Sequence, residues 1–123
     1  MSLFEDNYCK LTGDELVIKC FYFPTAQPKH IDVKSIRAVY FREQSFRGDC
    51  CKVKGWGMSF TPCWWACDTR RGWHSGPLKY FNVVIDCGEK TYKGFTVNDI
   101  NAFTTEVKKV LHPEATISGD LPF

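Results

Sequence analysis

Residues 80–111 read YFNVVIDCGEKTYKGFTVNDINAFTTEVKKVL. The spacing of their apolar residues changes period once, and that change decides the fold. Tyr80 to Asp86 alternates, so Phe81, Val83 and Ile85 share the face turned to the core, because successive side chains of an extended chain point to opposite sides. Cys87-Gly88-Glu89-Lys90 turns the chain, and Thr91 to Val97 returns as the second strand of a hairpin. After Val97 the apolar residues Ile100, Phe103, Val107, Val110 and Leu111 lie along one stripe of an amphipathic helix. Asn98 is placed to cap that helix, Asp99 sits where the helix dipole favours an anion, Lys108 and Lys109 occupy the end that favours cations, and Pro113 blocks extension.

Outward from this stretch, the rhythm from Cys9 onward is mostly of period two, with Gly, Pro, Asp and Asn clusters between the runs. Tyr8 to Thr12, Gly13-Asp14 and Glu15 to Phe23 read as a hairpin in which Leu16, Ile18, Cys20 and Tyr22 share one face. A turn at Pro24 to Lys29 leads to a short strand at Ile31 to Val33, a break at Lys34-Ser35 and a strand from Ile36 to Phe41. Gln44 to Lys54 reads as a polar loop, Gly55-Trp56-Gly57 to about Asp68 as a strand, and Thr69 to Lys79 as a turn-rich connection. Seven or so strands and one C-terminal helix predict a mainly β domain over residues 1–112, a bent barrel or two packed antiparallel sheets closed by the helix. Residues 113–123 lack periodicity and are expected to form an irregular tail.

Composition agrees with one such domain. The chain has 123 residues, 44% of them hydrophobic, with ten Phe, four Trp and five Tyr to fill a core. A net charge of +2 lacks the strong basicity of dedicated nucleic-acid binders. The apolar stretch from Leu16 to Phe23 is interrupted by Lys19 and is far short of the roughly 20 residues that cross a bilayer. Met1-Ser2-Leu3-Phe4-Glu5-Asp6 has neither the basic nor the apolar region of a secretion signal, and seven cysteines is an odd number for a disulfide framework. The expectation is a cytoplasmic protein with reduced cysteines.

The segments Leu16 to Phe23, Ile31 to Val39, Gly55-Trp56-Gly57, Val83 to Gly88, and Gly94 to Asp99 followed by Ala102-Phe103 resemble the bacterial pleckstrin-homology-like family over about Leu11 to Leu111. The resemblance implies a PH-like barrel of about seven strands plugged by its helix, similar in fold to eukaryotic lipid-binding domains. It brings no shared catalytic residues and no single ligand, since function belongs to sites rather than folds. The phosphoinositide pattern of those domains is not matched: Lys10 and Lys19 flank Gly13-Asp14-Glu15, where two acids occupy the loop.

No motif dictates a reaction. Cys63 and Cys67 would lie roughly 13 Å apart on a strand, too far for a disulfide, and His30, His74 and His112 are scattered rather than at metal-ligand spacing. Gly55-Trp56-Gly57 precedes a strand, so it lacks the helix amides of a phosphate loop. No enzyme activity, cofactor or metal is therefore expected. Adjacent Trp64 and Trp65 must point to opposite faces; with Phe60, Trp64 and Ala66 inward, Cys63, Trp65 and Cys67 face out or lie under a loop. Arg37 to Lys79 holds eight of the 16 basic residues and three of the 14 acids. Lys52, Lys54, Trp65, Arg70, Arg71 and Trp73 are accordingly the candidate binding residues of a basic, Trp-bearing loop end. The function this predicts is a non-enzymatic binding or assembly module, joining a protein partner or a second copy of itself through loop end or sheet edges. The alternative is a peripheral binder of an anionic lipid headgroup or small anion; a cysteine-dependent or zinc enzyme is the least supported.

Overall fold

Alternation becomes pairing where sequence predicted it. The computed structural model describes residues 2–22, 25–44, 57–58, 63–68, 80–119 and 121. In it β8 (Phe81–Asp86) and β9 (Tyr92–Val97) pair antiparallel, with Val83 opposite Phe95 and Gly88 turning between them at φ 84°. Among the described residues, a mainly β fold of two sheets and one α-helix lies around this hairpin.

The first sheet is a meander of β1 (Ser2–Glu5), β2 (Cys9–Thr12), β3 (Glu15–Ile18) and β4 (Lys29–Asp32), each antiparallel to the next. The strand predicted to run to Phe23 stops at Ile18. Cys20 takes a left-handed φ of 49°, which breaks the alternation and rotates the chain, so Phe21 is buried while Tyr22 is 41% exposed. Cys20 and Tyr22 therefore do not share the face of Leu16 and Ile18. The predicted break at Lys34-Ser35 is a 3-10 turn at Val33–Ser35, begun by Asp32, whose carboxylate accepts the Lys34 amide at 2.9 Å.

The second sheet is mixed. Its order is β10 (Thr116–Ser118), β5 (Ala38–Glu43), β8, β9, β7 (Cys63–Trp65), β6 (Gly57–Met58), with β10 parallel to β5 and β7 parallel to β9. Two expectations change here. The single strand expected from Gly55 to Asp68 is an antiparallel pair, Gly57 opposite Trp65; Pro62, without an amide hydrogen, is a poor residue for an uninterrupted central strand. The tail expected to be irregular contains β10, whose Ile117 pairs with Val39 and packs against the core.

The helix α1 (Ile100–Val110) is capped by Asp99 rather than Asn98: the Asp99 carboxylate accepts the Ala102 amide at 3.1 Å. Its buried stripe is Phe103 and Val107, with Ile100 packed beside them. Phe103 stands edge-on to Phe4 of β1 at 5.5 Å and to Phe95 of β9 at 5.8 Å, so the helix closes onto both sheets. Leu11, Leu16 and Ile18 from the first sheet meet Val39, Val83, Ile85 and Phe95 from the second in one core. Single bonds also join the sheets, from the Cys67 amide to the Cys20 carbonyl at 2.9 Å and from Trp64 Nε1 to the Phe21 carbonyl at 2.8 Å.

Candidate functional site

The strands β5, β8, β9 and β7 are neighbours, and the ends of β5, β9 and β7 meet the start of β8 at one end of the sheet. There a row of polar side chains crosses all four: Gln44 just beyond β5, Asn82 on β8, Thr96 on β9 and Asp68 beyond β7. Gln44 Nε2 donates toward Thr96 Oγ1 at 3.0 Å, Asn82 Oδ1 at 3.1 Å and Asp68 Oδ2 at 3.3 Å. Thr96 Oγ1 donates to Asp68 Oδ2 at 2.5 Å. Asp68, Asn82 and Thr96 are all buried, Asp68 only 5% exposed. A buried carboxylate is tolerated only with such donors.

The row holds the roots of the two basic segments. Gln44 immediately precedes segment 45–56, Asp68 and Tyr80 flank segment 69–79, and Gln44 is bonded to both others: its side chain to Asp68 and its backbone N–H to the Tyr80 carbonyl at 2.9 Å. Segments 45–56 and 69–79, which start from this point, carry Arg47, Lys52, Lys54, Arg70, Arg71 and Lys79 against the one acid Asp49. Of the sequence-predicted site residues, Lys52, Lys54, Arg70, Arg71 and Trp73 lie outside the described residues.

Trp65 is described, and it is no part of an exposed surface. It is fully buried on the outer face of the second sheet with Cys63, Val84 and Leu121, beside Tyr40 and Tyr92. Its ring lies flat over Gly94, close enough that a methyl there would stand 2.7 Å from Trp65 Cδ2. The two tryptophans do face opposite ways, since Trp64 packs against the main core. Leu121, 56 positions along the chain, helps to cover the second one; no local pattern around Trp65 could foretell it. The polar row was also missed. Its signal was Asn82 and Thr96 within otherwise apolar strands, which alternation alone assigns to a solvated face.

At the opposite end of the β8–β9 hairpin, Glu89 Oε1 receives the Cys87 thiol at 3.2 Å and faces Lys29 Nζ at 3.3 Å and Lys93 Nζ at 3.5 Å. The thiol hydrogen bond, and then the two ammonium groups, hold the Glu89 carboxyl below its ordinary range against partial desolvation. Desolvation and the same carboxylate raise the Cys87 thiol, and burial with Asp6 nearby raises Cys9 well above an ordinary thiol. A hollow of about 280 Å³ beside β10 is lined by Lys34, Arg37, His112 and Glu114, all exposed, with Arg37 already paired to Asp86 at 3.3 Å. Among the described residues no group of three or more His, Cys, Asp or Glu is gathered to hold a metal ion, and no helix is long and apolar enough to cross a membrane.

Comparison of the chain with protein-family models, with curated proteins and with solved structures finds no match.

Proposed function

We propose that the chain is a non-enzymatic PH-like binding module that recognises an acidic protein partner through its loop end. The observation that carries this reading is Gln44 bonded to both Asp68 and Tyr80, because it gives the two most basic segments of the chain a common, rigidly held origin. A site assembled from two segments needs such a scaffold, since binding groups act in concert only when their supports are fixed. Six cations against one acid in those segments select for negative charge, and Trp73 adds an aromatic face between the arginines and His74. Two sheets closed by a C-terminal helix are compatible with the PH-like resemblance, while the parallel pairings of β10 and β7 depart from the purely antiparallel sheets expected of it.

The test is retention of purified protein on immobilised polyglutamate at about 50 and about 300 mM salt, with screening shortening the reach of charge between them. The wild type is expected to be retained at low salt and released at high salt. The Arg70→Ala, Arg71→Ala double variant is expected to keep its Tm and lose most of that retention, the combination that separates a binding role from a folding role. Equal retention of both proteins refutes the reading. Co-sedimentation with phosphatidylserine vesicles, in the absence of polyglutamate retention, transfers the site to the anionic-lipid alternative.

A further inference from the structure

Cys20 follows the last strand residue of β3 by two positions, and Cys67 follows β7 by two; they belong to different sheets. The Cys67 amide donates to the Cys20 carbonyl at 2.9 Å. Covalent bond lengths then hold the two Cα atoms within about 6.8 Å of each other, inside the separation that a disulfide spans. Among the described cysteines, Cys20 and Cys67 are both partly exposed, Cys9 and Cys63 are buried, and the Cys87 thiol donates to Glu89 at 3.2 Å. We propose that Cys20 and Cys67 are a paired oxidation site that closes to a disulfide between the two sheets when the protein meets hydrogen peroxide.

The chemistry balances with peroxide as the oxidant. One thiolate attacks a peroxide oxygen, the O–O bond breaks, and hydroxide leaves with the thiol's proton as water. The sulfenic acid so formed is attacked at sulfur by the second thiolate, the S–S bond forms, and a second water departs. Two thiols and one peroxide give one disulfide and two waters, both sulfurs being oxidised and both peroxide oxygens reduced. The reduced state expected from sequence is the resting state, and the adjacent pair is what oxidation reads. The inference stands apart from the loop-end reading, because it uses neither basic segment.

The experiment is brief treatment of the folded full-length chain with hydrogen peroxide, alkylation of remaining thiols, and peptide mapping under non-reducing conditions. The expected result is a linked Cys20–Cys67 peptide about 2 Da lighter than its reduced parts, with two of the seven thiols lost. A thiol reductant should reverse it. The oxidised chain should melt at least about 5 °C higher, since the bridge ties residues 20 and 67 together in the unfolded state. Cys20→Ser and Cys67→Ser should each abolish link and Tm rise, while Cys87→Ser retains both. Recovery of Cys20 and Cys67 as separately alkylated or sulfinic peptides from folded wild-type protein overturns the proposal, as does linkage of either to another cysteine. The wild-type map decides even if a serine variant fails to fold.

Discussion

At the scale of single residues, Gly94 and Trp65 show how one absent methyl places the largest side chain on the outer face. Trp65 pairs with Gly94 across the parallel β7–β9 ladder, and its ring occupies the space a Cβ would need. Gly94→Ala meets no backbone objection, so its effect isolates the collision. We expect it to destabilise by about 1–3 kcal/mol, the range of overpacked cores, read as a lower urea midpoint with unchanged slope. A loss under about 0.5 kcal/mol would mean that the indole is free to move aside. Cys20 is the opposite case: its left-handed φ is strained for a residue with a Cβ, and the Phe21–Trp64 contact and the Cys67 amide hold it there.

At the scale of elements, α1 buries one stripe against both sheets, and Phe103 is its centre. Phe103→Ala removes an aromatic that touches Phe4 and Phe95, and a loss of about 3–5 kcal/mol in chemical denaturation is expected. A change below 1 kcal/mol would show that the helix does not close the fold. These elements were legible because their signals are local. The 81–97 hairpin and the 100–110 helix are each fixed by a period, a turn or a cap within a few residues, and the cap and the first residue of each strand moved by one position. What was illegible is non-local. Parallel pairing of β10 with β5 joins residues 116 and 38, and three residues of β10 carry too short a pattern to announce a strand. Of the binding side chains named from sequence, Trp65 is buried on β7 and the other five lie outside the described residues, so their chemistry was readable from sequence but not their arrangement. Asn82 and Thr96 resembled a wet face until Gln44 and Asp68 were brought across four strands to meet them.

At the scale of the whole molecule, the sheets share a core, a helix and a few polar clamps. One clamp is Lys29 of β4 against Glu89 of the β8–β9 turn. The folded Glu89 carboxyl titrates below its unfolded value, so its contribution is present above the ordinary carboxylate range and is lost as pH falls through the depressed value. Glu89→Gln should therefore be less stable than wild type at pH 7, by under about 1 kcal/mol because the site is half exposed, with the gap closing below about pH 4. A gap independent of pH between 7 and 3 would show that the charge contributes nothing to the clamp.

The parallel pair of β10 and β5 also imposes an order in time. All four strands of the first sheet come from residues 2–32 and pair with their sequence neighbours, so they close by short hairpins that form within microseconds. The edge of the second sheet can be laid down only after a segment of nearly 80 residues has been gathered so that Thr116 reaches Ala38, and with it the Leu121 cover over Trp65. Short-range closure thus favours the meander forming before β10 and Leu121 cover the outer face of the other sheet and its tryptophan.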